Sequence, residues 1–280
     1  MTKENWKYYY IQSLHDGNLS EANDIKRKNL PKKLYRFEKV EDCRLVTLKR
    51  NALYVSHSTA FDDPYDAKGY YWKETELKKI FQDYNIFKKK YAKISIDQYI
   101  LGIEDRIKFW FEHCWIGCFT ENLNNFPMWY YYADRYQGFC VEYDFSILSV
   151  ENEFQQALKP VLYLNRKFDI TKAIESSFNP DIVAGRKDTS TFYWLHTIGN
   201  IVKDSSWEFE KEWRYIGVNE EIEQKGMEIK LPVKPSHIYI GKDMSDVNTE
   251  RIKKIAEEIG CDYSRITITD HNNEQFVLNY

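Results

Sequence analysis

The 280-residue chain predicts a single α+β domain built around antiparallel sheets, with a helical insertion. Short strand-like segments rich in aromatic and β-branched residues recur along the chain, and one helical stretch, residues 70–113, interrupts them. No glycine-rich phosphate loop follows a strand, which argues against a doubly wound parallel sheet. The length suffices for a full core, and we divide the chain into a helical extension over 1–33 and one α+β domain over 34–280.

Aromatic residues make up 16% of the chain, above ordinary usage; most are expected to fill the core, and some can line pockets that stack on bases or sugars. A net charge of −3 argues against a broad nucleic-acid surface but leaves room for a local patch. No apolar run reaches membrane-spanning length, and the first residues lack a signal-peptide core. Five cysteines at irregular spacings fit a reducing compartment better than a disulfide framework. No membrane association and a cytoplasmic location are therefore expected.

Residues 1–30 read as peripheral helices, and the basic run from Lys26-Arg27-Lys28 to Lys32-Lys33 reads as a solvated linker, with contact to phosphate as the alternative. Leu34-Tyr35-Arg36-Phe37 reads as the first strand. A short helix around Leu45–Leu48 and a turn with Asn51 in the left-handed region lead to a second strand, Ala52–Ser56. Arg36 lies in a short aromatic strand and must snorkel or pair; a fixed guanidinium suits phosphate. The loop Phe61-Asp62-Asp63-Pro64-Tyr65-Asp66 could hold a metal or simply cap a turn. Within 70–113, Leu77, Ile80, Phe81, Tyr84 and Phe87, then Ile96 to Phe111, fall at helical spacing.

Trp115–Thr120 reads as a buried strand. His113, Cys114 and Cys118 lack a second ligand pair at zinc-like spacing, so these cysteines read as packing residues, and no metal ligands are assigned. Asn125 and Pro127 suit the start of a helix that carries Trp129 and Tyr132 on one face, before a strand over Gln137–Tyr143. Lys159–Tyr163 reads as a strand. Helical spacing over 170–204 precedes strands at Glu228–Leu231, His237–Gly241 and Arg265–Thr269, with a helix from Val247 to Ile259 between the last two.

Ser206 to Tyr215 alternates acids with aromatics and reads as a continuous strand carrying Glu208, Glu210, Glu212 and Arg214 on one face. Such clustered acids are either paired by lysines on an exposed strand or held for chemistry. Glu212, beside Trp213-Arg214, is the candidate for a fixed carboxylate, with Glu210 its partner toward an acceptor.

Four islands resemble a large, mostly uncharacterised bacterial domain-of-unknown-function family, some of whose members occur in phage-defence and abortive-infection loci. They are Leu34–Phe37; Leu53–Ser56 with the DDPYD run Asp62–Asp66; the MWxxYA run Met128–Ala133 with the GFC run Gly138–Cys140; and the WxxExEWR run Trp207–Arg214. The resemblance spans roughly 34–240, and Asp62 stands where that family more often has Asn. The order Arg36, Tyr54 and Ser56, then Glu210 or Glu212 also resembles ADP-ribosyltransferases. That resemblance implies an ADP-ribosyltransferase-like fold and NAD as co-substrate. Arg36, Tyr54, Ser56, Trp129 and Tyr132 would bind the cofactor, and Glu212, Glu210 and Arg36 would serve catalysis. It further implies an RNA or protein acceptor and a toxin or defence role with an antitoxin or chaperone partner. A metal-dependent nuclease using Asp62, Asp63, Asp66 and the glutamates, and a non-catalytic nucleotide or phage-product sensor, are the alternatives.

Overall fold

The computed structural model describes residues 6–61, 63, 65–83, 95–176, 193–218, 226–268 and 278–279. Helices α1 (Trp6–His15) and α2 (Leu19–Asn29) precede strand β1 (Leu34–Glu38), helix α3 (Asp42–Lys49) and strand β2 (Ala52–His57). Asn51, at φ 52°, reverses the chain between α3 and β2. After β3 (Tyr70–Tyr71) come helices α4 (Glu74–Asp83) and α5 (Ile96–Glu112).

Strand β4 (Cys114–Thr120), helix α6 (Phe126–Tyr131) and β5 (Phe139–Tyr143) follow. Asn125 caps α6 as its composition suggests, its side chain accepting from the Met128 N–H at 3.3 Å. Next come α7 (Glu153–Ala157), β6 (Leu158–Pro160), β7 (Leu162–Leu164), β8 (Phe168–Asp169) and α8 (Thr171–Ser176). Then follow α9 (Tyr193–Ile201), β9 (Val202–Asp204), β10 (Glu212–Val218) and β11 (Gly226–Lys230). Strand β12 (His237–Ile240), helix α10 (Asp246–Ile259) and β13 (Asp262–Arg265) close the large sheet. Gly260, at φ 68°, ends α10 in the left-handed conformation.

The large sheet is mostly antiparallel, in the order β11-β2-β4-β1-β5-β12-β13, with β10 branching from β4 and β6 pairing with β10. Parallel pairing joins β12 to β13, β3 to β8 and β7 to β9. Strand β10 pairs with β4 along its whole length, from Glu212 opposite Thr120 to Val218 opposite Cys114. Strands β1 and β2 must therefore share the other edge of β4. Ser56 and His57 face Ile116 and Trp115, whereas Tyr35 faces Thr120. Between these contacts the sheet splits, and a cleft opens over the middle of β4.

Several expectations are corrected. Ser206–Tyr215 is not one strand: Ser205–Glu210 is a 3-10 helix, Lys211 sits at φ 45°, and the strand begins at Glu212. The Asp204 carboxylate caps this turn by accepting from the Ser206 N–H at 2.9 Å and Oγ at 2.6 Å, overriding the period-two pattern. Helix α1 is not peripheral, because Tyr10, Ile11 and Leu14 join a second core with Leu77, Ile103 and Ile198. Lys26 is buried rather than solvated. Its ammonium donates to the carbonyls of Gln155 and Gln156, at 2.8 and 3.4 Å, near the end of α7. Burial pushes its pKa down to about 7. Residues 158–164 form two strands, not one, and β13 ends at Arg265, before a short pair of Thr267–Ile268 (β14) with Leu278–Asn279 (β15). Tyr84, Phe87 and Asp62 lie outside the described residues. Among the described residues, no helix is long and apolar enough to cross a membrane.

Gly138, first residue of the GFC run, is a close-approach position. A Cβ there would lie 2.3 Å from the Glu38 carbonyl oxygen and 2.8 Å from the Ala133 Cα. Because both neighbours are backbone, β1 or the turn after α6 would have to shift. Gly138→Ala is expected to lower unfolding free energy by about 1–3 kcal/mol in urea titration; an unchanged midpoint would refute the close packing.

Candidate functional site

The cleft over β4 has a volume of about 450 Å³. Arg36, Tyr54, Ser56, Cys118, Tyr131, Tyr132, Glu210, Glu212 and Arg214 all contribute to its lining. Arg36 occupies the split itself. Its Nη1 donates to the Cys118 carbonyl at 3.0 Å and its Nη2 to the Tyr54 carbonyl at 3.4 Å, while Nε meets Glu38. The guanidinium thus bridges the backbones of β4 and β2 across the split. Burial opposes its charge, but the Glu38 carboxylate outweighs burial and raises the Arg36 pKa. Of its five N–H groups, three are used among the described residues, leaving one on each terminal nitrogen for a ligand.

The other wall is an ion-pair network around Arg214, whose side chain is 1% exposed. Two nitrogens meet the two oxygens of Asp66, at 2.7 and 2.8 Å. Nε and Nη2 each donate to Glu212 at 2.9 Å, and Nη1 also donates to the Asn200 carbonyl at 2.7 Å. Glu212 and Arg214 are two apart on β10 and so share a face. Lys203, from β9, reaches Glu210 at 2.7 Å, Asp66 at 3.3 Å and Glu212 at 3.7 Å. The Tyr132 hydroxyl donates to the remaining oxygen of Glu210. The left-handed Lys211 between the two glutamates brings Glu210 back beside Glu212, which a flat strand would have done by alternation.

These surroundings push the two glutamates in opposite directions. Burial and the charge of Glu212 raise the Glu210 pKa, against Lys203 and Tyr132. Burial also acts on Glu212, but Arg214 and Lys203 overcome it and lower its pKa. Burial opposes charge on Lys203 as well, yet Glu212, Asp66 and Glu210 hold its pKa above normal. With Asp66, three carboxylates face two cations, so the cluster keeps a negative excess unless Glu210 takes a proton.

Of the residues selected from sequence, Arg36, Tyr54, Ser56, Tyr132, Glu210 and Glu212 meet at this cleft. Trp129 does not. It is fully buried, stacks on Tyr136 and meets Phe37 edge to face, and its indole N–H donates to the Leu123 carbonyl at 3.1 Å. Its neighbour Tyr131 lines the cleft instead. Glu208 is exposed and pairs with Lys211 at 2.9 Å, outside the network. Cys118, read from sequence as a packing residue, also lines the cleft, where burial and Glu212 raise its thiol pKa. Sequence reasoning missed Lys203, which no periodic signal marks, and read Asp66 only as part of a loop that holds a metal or caps a turn. Among the described residues no group of three or more His, Cys, Asp or Glu side chains could hold a metal ion. The carboxylates converge on an ammonium and a guanidinium instead.

Residues 128–215 match a family described as protein of unknown function, DUF2971. The matched stretch runs from α6 through Lys203 and the two glutamates to β10. No curated protein and no solved structure matches the chain.

Asp66 ties acid stability to this network. Burial would raise its pKa, but Arg214 and then Lys203 depress it from 3.8 to about 2. A depressed carboxylate contributes stability above its unfolded pKa and loses it as pH falls through the folded value. The contribution, about 2 kcal/mol, should be intact above pH ~4 and gone below pH ~2. Asp66→Asn is expected to lower stability by about 3 kcal/mol at neutral pH and to flatten the acid limb of a pH–stability curve. An acid limb as steep as that of the original chain would refute the assignment.

Proposed function

We propose that the chain is an ADP-ribosyltransferase-like enzyme that takes NAD as co-substrate and transfers ADP-ribose to RNA or protein. One juxtaposition supports the reading. Arg36 of the first strand, Tyr54 and Ser56 of the second, and Glu210 and Glu212 line one cleft. Its 450 Å³ falls in the range of small-molecule sites, about 300–1,000 Å³. Arg36 offers two N–H groups to a pyrophosphate, and the exposed rings of Tyr131 and Tyr132 offer stacking faces at the cleft wall. The bond between nicotinamide and ribose breaks with its electron pair leaving on the ring nitrogen, so nicotinamide departs neutral. The ribose carbon becomes oxocarbenium-like, and the anionic Glu212 stabilises it. An oxygen or nitrogen of the acceptor then bonds to that carbon, and its proton passes to Glu210, whose raised pKa suits a base. A toxin or phage-defence setting, with an antitoxin or chaperone partner, belongs to the same proposal.

A second reading has its own observation. Both oxygens of Glu210 and of Glu212 already meet partners within the chain, as in a rigid site that binds a nucleotide without reacting.

Nicotinamide release from NAD, measured in EDTA, separates the readings. The enzyme reading expects turnover, with Glu212→Gln slower by two to three decades, about 3–4 kcal/mol. Glu212→Gln also weakens the hold on Arg214, so each variant is checked by thermal melting. Glu210→Gln leaves that pair intact and is expected to lose the acidic limb of the pH–rate profile. Full activity in both variants would sink the enzyme reading, whereas NAD binding without turnover would establish the sensor.

A further inference from the structure

A second, larger cleft of about 780 Å³ adjoins the first and shares Lys203 with it. On one side the Lys203 ammonium meets Glu210; on another it lies 4.9 Å from the centre of the Trp207 ring, which lines the second cleft. The loop after β2 serves both spaces. Asp66 turns into the Arg214 network, whereas Tyr65, 72% exposed, and Lys68 line the second cleft. Ala67, between Asp66 and Lys68, sits at φ 57°. Arg166 and Lys167, both exposed, line the second cleft and also an adjoining hollow of about 480 Å³ that Lys172 shares, where Lys73 is paired with Asp169 at 3.1 Å and Glu76 at 3.5 Å. Aromatic faces beside the candidate site thus give way to the exposed cations Arg166, Lys167 and Lys172, on a chain whose net charge is −3.

We propose that this second cleft binds single-stranded RNA and presents it to the neighbouring carboxylates as the acceptor. The acceptor role rests on the reading of the first cleft; the binding itself does not. Rings stack on unpaired bases of any sequence, and cations beside them follow the phosphate backbone. A base inside a duplex stays stacked and could not enter beside Trp207. Asp63 and Asp204 also line the cleft. Their carboxylates accept from hydroxyls, which favours a ribose 2′-OH over deoxyribose.

Fluorescence anisotropy with labelled single strands of about 12 nucleotides tests this. RNA is expected to bind with an affinity that falls steeply with salt, and DNA of the same sequence more weakly. Trp207→Ala and the double variant Arg166→Glu/Lys167→Glu should each weaken RNA binding at least tenfold. The double variant should leave any nicotinamide release to water unchanged. Equal binding of RNA and DNA would overturn the choice of RNA. No binding at low salt or unchanged affinity in the double variant would overturn the proposal, and label passing from NAD to protein alone would overturn the acceptor role. RNA binding with the expected variant pattern, but without NAD cleavage, would keep the cleft assignment and remove only the enzyme reading.

Discussion

Arg214 is the constraint around which the rest is arranged. Its guanidinium is buried and cannot escape the cost of burial by losing its proton. Acceptors must therefore be brought to it, and they come from separate parts of the chain. Asp66 arrives on the loop after β2, Glu212 on β10 itself, and the Asn200 carbonyl from the last turn of α9. Each addition creates a further demand. Two carboxylates against one guanidinium leave negative charge, which Lys203 balances, and Lys203 in turn collects Glu210. Removing one partner of such a network leaves its opposite buried and unpaired, which is why these positions act together.

A second arginine acts on the other side of β4. Cys118 faces Arg214 across the β4–β10 ladder, and its carbonyl accepts from Arg36 across the opposite edge. The floor of the cleft is thus one strand with a guanidinium on either flank. Arg36 keeps the sheet split by filling the gap between β1 and β2, and the same group faces whatever occupies the cleft. Structural and recognition roles coincide in this side chain, so its loss would disturb both. The cleft joins these positive donors to a cluster with excess negative charge, a combination suited to a ligand that carries phosphate at one end and developing positive charge at the other.

Much of the local structure was legible in the sequence because its causes are local. The turn at Asn51, the cap at Asn125 and the stop at Gly260 follow from backbone preferences of single residues. The short strands, and the absence of a glycine-rich loop, pointed to a mostly antiparallel sheet, although the three parallel pairings depend on which segments meet. Arg36 had to find a counter-charge, as a buried charge must, but it finds Glu38 and only lines the same cleft as Glu210 and Glu212.

The sequence could not reveal where alternation ends. Ser206–Tyr215 has a strand's period, yet Asp204 capping and the Asn125 bond to the Phe209 carbonyl wind its first half into a 3-10 turn. Nor could it reveal Lys203, because a lysine between Val202 and Asp204 carries no pattern until the fold sets three carboxylates around it. Trp129 and Tyr132 illustrate the same limit. Both belong to one aromatic run, but tertiary packing buries the indole against Phe37 and turns only the phenol toward Glu210. The sequence by itself determined which segments form and which charges must find partners. Tertiary structure alone decided which partners they find, because a buried charge takes whichever counter-charge the packed strands bring within reach.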